Sequence, residues 1–206
     1  MKIILLIALV YLVNTLIITT IIDIILMGAL SFHFSIKSVR KNFLISKENV
    51  IDRQDGNKCA AFSSAYVLRH WNIKADGAEL YHSMTGKMRD GNVYPRGIQN
   101  LFIKYGFKVK YCAGNLNALK REIRKGNPVI IMIRTHAGKH WLHYVPVVGY
   151  DERYIFVAES IKELVNCGEK HYNRKIENRE FRKLWNTSML KMPFYRNTYF
   201  VIDVDN

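Results

Sequence analysis

The chain has 206 residues, 49% of them hydrophobic, and a formal net charge of +14. This length and apolar content exclude a disordered chain and fit one domain with its own core after an apolar N-terminal stretch. The basic residues are scattered over residues 32–206 rather than blocked. Such a surface can reflect a Lys-rich proteome, or it can attract nucleic acid, anionic lipid or an acidic polymer.

The first element is an apolar stretch at residues 3–29, which contains no Lys, Arg, Glu or Pro. As a helix it would be about 40 Å long, more than the ~30 Å hydrocarbon core of a bilayer. We therefore predict a single transmembrane anchor within residues 1–31, with Asp23 near an interface. Small residues around Gly28 leave a cleavable signal peptide as the alternative.

Charges on the two flanks of this stretch bear on its orientation. Lys2 stands on the N-terminal flank, whereas Lys37, Arg40, Lys41 and Lys47 follow on the other. The charge bias favours a cytoplasmic location for the C-terminal part. We expect a single-pass membrane protein, and the side that carries the domain stays open.

Residues 32–50 are polar and basic and predict a juxtamembrane linker, which leaves residues 51–206 as the folded domain. Helical signals fall at residues 59–71, from Asp76 onward, at 95–105, at 116–125 and at 178–185. Strand signals fall at residues 107–111, 128–135, 143–151, 153–160 and 198–204. Pro146 predicts a bulge or an edge position in its strand. Helices followed by strands indicate an α+β fold.

Three residues suggest nucleophilic chemistry. Cys59 opens a helix after a polar loop, and the free N–H groups and partial positive charge of a helix N-terminus favour a thiolate. His143 begins one strand and Glu159 ends the next. Because the start of one strand of a hairpin lies beside the end of the other, we expect Glu159 to orient the His143 ring toward a triad with Cys59.

Taken singly, each of these residues has an ordinary structural explanation. A cysteine that enters a helix is often a small buried apolar residue, and a histidine or glutamate at a strand end is often solvated. The three cysteines, Cys59, Cys112 and Cys167, include no CxxC pair that would indicate structural zinc. A bridge between Cys112 and Cys167 is an open alternative.

Two sequence blocks resemble a known family. RQDGNKCAAFSSAYVLRH, followed by HYVPVVGYDERYIFVAES, is similar to the C39-like branch of the bacterial papain-like cysteine peptidases. The resemblance covers roughly residues 52–203 and implies a papain-like fold, with N-terminal helices packed on an antiparallel sheet. It also implies Cys59 as nucleophile, His143 as general base and Glu159 as the orienting residue. Gln54, with the Cys59 backbone N–H, would form the oxyanion hole.

Three positions depart from the family pattern. Ala60 stands where the family usually has Gly, and Gln54 precedes Cys59 by five residues instead of six. Glu159 replaces the usual Asp or Asn. These departures leave an inactive domain that binds a peptide or polymer as the alternative to a peptidase. The chain also has no P-loop motif of an export transporter, so the leader-peptide substrate of the best-known members is not carried over.

Other site types are less well supported. His136, His140 and His143 have a spacing that could indicate a metal on a helix, but Gly138 predicts a turn there. No nucleic-acid-binding motif accompanies the tyrosines. We expect a peptide or protein substrate, membrane contact through the N-terminal helix, and neither a cofactor nor a nucleic-acid partner. The oligomeric state stays open.

Overall fold

A computed structural model describes residues 2–188 and 194–204. The helices there are α1 Lys2–Met27, α2 Cys59–His70, α3 Gly77–Ser83, α4 Pro95–Lys104, α5 Leu116–Ile123 and α6 Asn178–Trp185, and Lys162–Leu164 forms a single 3-10 turn. The strands are β1 Leu30–His33, β2 Phe43–Leu44, β3 Phe107–Gly114, β4 Val129–Arg134, β5 Leu142–Tyr150, β6 Tyr154–Val157, β7 Arg174–Glu177 and β8 Thr198–Val204.

The described strands form one sheet in the order β1-β3-β8-β4-β5-β6-β7, with β2 paired to β5. β1 runs parallel to β3, and the other pairs are antiparallel. Two apolar layers cover the sheet. One layer packs α5 and α6 on it, through Leu119 and Phe181 among others. The second packs α2 and α4, through Leu68 and Phe102. The predicted α+β fold, with helices packed on a largely antiparallel sheet, is confirmed.

Local sequence explains several element boundaries. Asp76 caps α3 by accepting a hydrogen bond from the Glu79 N–H, and Asn115 caps α5 through the Ala118 N–H. Pro95 begins α4, where its missing N–H costs nothing. The predicted positions of these helices are confirmed.

Two features differ from the sequence predictions. Pro146 lies in β5, an interior strand flanked by β4 and β6, so the edge alternative is wrong. A register shift lies next to it, between Val147 and Gly149. The segment 32–50, predicted as a linker, contributes to the sheet through the second half of β1 and through β2.

The N-terminal helix α1 is long and apolar enough to cross a membrane, a property it shares with signal sequences. Most of its side chains are exposed, and Met27 at its end is buried. The helix end packs on α4, and β1 begins after only two further residues. α1 is therefore joined directly to the sheet.

Candidate active site

Cys59 is the first residue of α2 and is only 6% exposed. The helix packs closely on β5 because its inner face carries small buried residues such as Ala61 and Ala65. The Ser63 hydroxyl donates a 2.9 Å hydrogen bond to the Tyr144 carbonyl. This bond fixes the start of α2 against the strand that carries His143.

The β5–β6 hairpin brings His143 and Glu159 together. Its tight turn is held by Asp151, whose carboxylate accepts hydrogen bonds from the N–H groups of Arg153 and Tyr154. Glu159 follows the end of β6, and its Oε1 lies 2.8 Å from Nε2 of His143. The predicted meeting of these two residues is confirmed, and both are buried, at 1% and 0% exposed.

Every oxygen of Glu159 is engaged by a donor. Oε1 also accepts the Ile161 N–H at 2.8 Å, and Oε2 accepts an Arg174 Nη1 hydrogen bond at 2.8 Å. The Asn173 side chain holds the Glu159 backbone by accepting its N–H at 2.7 Å and donating to its carbonyl at 2.8 Å. A buried carboxylate needs such compensation, and here it has two positive partners.

These contacts shift both ionisation equilibria. Burial lowers the pKa of His143, but the Glu159 carboxylate and the neighbouring Cys59 outweigh burial and raise this pKa well above its ordinary value. Burial raises the pKa of Glu159, but His143 and Arg174 outweigh it and hold this pKa below its ordinary value. The pair is therefore an imidazolium and a carboxylate near neutral pH.

The second ring nitrogen of His143 faces a different environment. Nδ1 is buried and has no hydrogen-bond partner in the described part of the chain. Cys59 interacts electrostatically with the ring and contributes to the raised pKa of His143. Since Nε2 is held by Glu159, Nδ1 is the nitrogen left to exchange a proton with the thiol.

Gln54 lies half-buried on the loop before α2. Its Oε1 accepts a 2.7 Å hydrogen bond from the Ser160 hydroxyl, and its backbone N–H donates to the Ser160 carbonyl at 3.0 Å. Its Nε2 donates to the Gly56 carbonyl at 2.7 Å. The loop is thus tied to the residue that follows Glu159, and one amide hydrogen of Gln54 stays available.

A cavity of about 920 Å³ connects these side chains. Cys59, His143 and Gln54 all line it. Its walls are mainly apolar, as is usual for clefts that bind organic ligands. They are formed by the end of α1, the loop at 88–95 and the loop between β4 and β5.

His136 and His140 line the cavity but lie on the exposed loop between β4 and β5. Gly138, with φ +86°, forms the turn that the sequence predicts there. Among the described residues, no group of three or more His, Cys, Asp or Glu side chains is placed to hold a metal. The cysteines Cys59, Cys112 and Cys167 are all free, so the open alternative of a bridge does not occur in this structure.

Sequence reasoning missed four residues around the site: Asn173, Arg174, Ser160 and Met27. Arg174 is the first residue of β7, and Asn173 precedes it. β7 has only four residues, and its pairing with β6 brings Arg174 opposite Val157. The short segment RKIE follows β6 within twenty residues, and its spacing is the one sequence signal for a strand that pairs with β6. Met27 reaches the site through packing that no local pattern reports.

Comparison with known proteins gives the same fold. The chain resembles a putative C39-like peptidase from Bacillus anthracis at 16% identity and a TM-score of 0.61, covering 80% of this chain and 98% of that one. It resembles a double glycine motif protease from an AMS/PCAT transporter in complex with the leader peptide at 19% identity and a TM-score of 0.52, covering 78% and 94%. It also resembles a Carica candamarcensis cysteine protease in complex with E-64 at 14% identity and a TM-score of 0.54, covering 82% and 100%.

Sequence comparison identifies the family. No curated protein matches the chain. The sequence profile of the Peptidase_C39 like family, in contrast, matches residues 43–189, more than half of the chain. The chain therefore belongs to the Peptidase_C39 like family.

Proposed function

We propose that this chain is a membrane-anchored cysteine peptidase that hydrolyses peptide bonds through Cys59, His143 and Glu159. The observation that carries the proposal is the buried His143–Glu159 ion pair beside Cys59 at the wall of a large cleft, in which the second ring nitrogen of His143 has no hydrogen-bond partner among the described residues. A peptide is the expected substrate because the family is one of peptidases and because a similar fold occurs in complex with a leader peptide.

In the proposed reaction His143 starts as the imidazolium, and its Nδ1 holds the proton that would otherwise be on the Cys59 sulfur. The sulfur attacks the carbonyl carbon of the substrate, and the resulting oxyanion accepts hydrogen bonds from the Cys59 N–H and the free amide hydrogen of Gln54. Collapse of this intermediate breaks the C–N bond, and His143 gives its proton to the leaving amine. A thioester on Cys59 remains.

Water then completes the cycle. His143, now neutral, takes a proton from water as the oxygen attacks the thioester carbonyl. The C–S bond breaks, the carboxylic acid leaves, and the proton taken from water stays on His143, which restores the starting state. Glu159 is a positioning residue throughout, because it holds the ring through Nε2 and stabilises the imidazolium.

The proposal also makes α1 a retained membrane anchor. Met27 is buried in the same apolar layer as Cys59, and the Gly28 carbonyl accepts a hydrogen bond from the Tyr195 hydroxyl at 3.3 Å. Removal of α1 at the small residues around Gly28 would take away these contacts. This dependence supports an anchor over a cleavable signal.

Cys59 reactivity and peptide hydrolysis test the proposal in the purified full chain. We expect iodoacetamide to alkylate Cys59 faster than Cys167, and a mixed peptide library to be cleaved at a rate that Cys59→Ala abolishes. His143→Ala should slow both reactions. Equal alkylation of Cys59 in wild type and His143→Ala, with no cleavage above Cys59→Ala, would refute the peptidase.

One observation favours a second candidate, an inactive peptide-binding module. The Gln54 Nε2 donates to the Gly56 carbonyl within its own loop, so part of the proposed oxyanion hole is already engaged. A binding module predicts peptide affinity without hydrolysis. That affinity would survive both Cys59→Ser and His143→Ala in a titration followed by tryptophan fluorescence.

A further inference from the structure

The end of α1 is fixed rigidly to the domain. Gly28 has φ +87°, a conformation that suits glycine, and an added Cβ would lie 2.3 Å from Oε1 of Gln99 on α4. The Gly28 carbonyl accepts a hydrogen bond from the Tyr195 hydroxyl, and β1 begins two residues after Gly28, at Leu30. No flexible tether separates the helix from the sheet, so the helix direction sets the orientation of the domain.

The same helix end forms part of the cleft wall. Met27 lines the cavity that contains Cys59 and His143, and it belongs to the same buried apolar layer as Cys59. A cavity of about 920 Å³ would be roughly 12 Å across if it were spherical. A peptide bond at Cys59 therefore lies within about one cavity width of the last turn of α1.

Helix length places this last turn near the membrane surface. The 26 residues of α1 extend about 39 Å at 1.5 Å per residue, whereas the hydrocarbon core is about 30 Å thick. Asp23, the carboxylate in this helix, belongs at the boundary and lies one turn, about 6 Å, before Met27. The cleft thus opens at the level of the lipid headgroups.

Side chains around the cleft are of the types that occur at the level of the lipid headgroups. Trp141 lines the cavity and is 70% exposed, and Phe194, beside the Tyr195 that binds Gly28, is 67% exposed. Exposed basic residues stand next to these contacts: Lys139 over the Trp141 ring, Arg96 hydrogen-bonded to Gln99, and Arg196 after Tyr195. Aromatic rings and cations of this kind are favoured in the headgroup layer of anionic membranes.

We propose that the substrates are membrane-tethered polypeptides, cleaved in the segment that lies directly beside the bilayer. The inference rests on the proposed peptidase function and adds its substrate class. A soluble peptide can enter the same cleft, but a chain that leaves the membrane near α1 is already concentrated at its entrance. The rigid connection at Gly28 keeps the domain next to the membrane, so it cannot reach cleavage sites far from the membrane surface.

Cleavage at two heights above the membrane tests the inference. The full chain is reconstituted in vesicles of phosphatidylcholine and phosphatidylglycerol with a model transmembrane helix that carries a random eight-residue library. The library follows the helix directly, or follows a twelve-residue polyproline spacer about 37 Å long. We expect the near library to be cleaved at least about tenfold faster, and Cys59→Ala to cleave neither.

The free peptide library in the same vesicles separates two kinds of failure. If it is cleaved while near and far libraries are cleaved equally, the substrate class is wrong and the peptidase stands. If no library is cleaved above the Cys59→Ala level, the peptidase is wrong and the substrate class falls with it.

A second measurement tests the height of the cleft without hydrolysis. A phosphatidylethanolamine with a chloroacetamide on its headgroup alkylates thiols near the surface, and soluble chloroacetamide gives the intrinsic reactivity of each thiol. Cys167, beyond β6 at the sheet end opposite β1, is the internal reference. We expect the lipid-to-soluble rate ratio of Cys59 to exceed that of Cys167 at least tenfold. Equal ratios would overturn the inference.

Discussion

Glu159 and His143 are buried and hydrogen-bonded to each other, whereas Gln54, which lines the same cavity as His143, is half-buried on a loop. The first region, the Glu159 cluster, comprises Glu159, His143, Arg174 and Asn173, whose contacts come from β5, β6, β7 and their connections. The second region, the Gln54 loop, comprises residues 51–58 and is tied to the cluster through Ser160.

The difference in burial indicates that the two regions contribute differently to stability and to catalysis. A buried ion pair fixes the ring of His143 and its charge, and its removal should change both catalysis and stability. A half-buried loop residue can stabilise a transition state while contributing little to folding. Substitutions in the two regions should therefore separate the effect on unfolding from the effect on rate.

Glu159→Gln should give the largest effect. The amide keeps the shape but loses the charge that, against the effect of burial, raises the pKa of His143. The His143 pKa therefore falls, and the imidazolium is lost at lower pH. We expect kcat/KM to drop about 10³–10⁴-fold, and the alkaline limb of its pH profile to move to lower pH.

Glu163→Gln is the matched control for this substitution. Glu163 lines the same cavity but is exposed on the segment after Glu159. Its profile should match that of the wild type. An unmoved alkaline limb in Glu159→Gln would show that the carboxylate does not set the His143 charge.

Arg174→Met should mainly reduce stability. Arg174 is the second positive partner of the buried Glu159 carboxylate, and breaking such a pair costs about 3 kcal/mol. Arg174 helps to lower the pKa of Glu159, so its contribution is present above the ordinary carboxyl pKa and lost as pH falls through the lowered one. Urea unfolding should show the largest difference from wild type near neutral pH and a smaller one in acid.

Lys175→Met provides the control on the same strand. Lys175 forms a partly exposed ion pair with Glu169 at 3.3 Å, and such surface pairs contribute about 0–1 kcal/mol. A loss of unfolding free energy as large as that of Arg174→Met would place the effect in β7 as a whole and not in the Glu159 pair.

The Glu159 cluster also shows how far the sequence predicts this site. Cys59, His143 and Glu159 could be found because each stands at the end of a strongly patterned element, and a hairpin brings the last two together by local geometry. Arg174 could not be found in this way, because β7 has four residues and its position follows only from pairing with β6. The position of Met27 could not be predicted either. It follows from the packing of the α1 end on α4 and from the parallel pairing of β1 with β3.

Gln54→Ala should act more on rate than on folding. The side chain would donate one amide hydrogen to the oxyanion, and loss of one such donor reduces kcat about 10²-fold. Because the half-buried side chain makes two hydrogen bonds, we expect the free energy of unfolding to fall by about 1–2 kcal/mol, less than in Arg174→Met. Steady-state kinetics and urea unfolding on the same preparation measure both quantities.

Arg53→Ala, an exposed neighbour in the Gln54 loop, controls for general loosening of the loop. It should leave kcat unchanged. If Gln54→Ala keeps the wild-type kcat as well, the amide is not part of the oxyanion hole, and the Cys59 N–H would have to act without it.

Ser160→Ala should give the smallest effect, because it removes only the side-chain link between the two regions. The Ser160 hydroxyl holds Oε1 of Gln54 at 2.7 Å, while the backbone bond between the same residues remains. One hydrogen bond contributes about 1 kcal/mol, which corresponds to roughly a fivefold loss in kcat if all of it orients the amide. In a double-mutant cycle with Gln54→Ala the two losses should not add, since Ser160 acts through Gln54. Additive losses would mean that Ser160 affects the reaction by another route, through the adjoining Glu159 cluster.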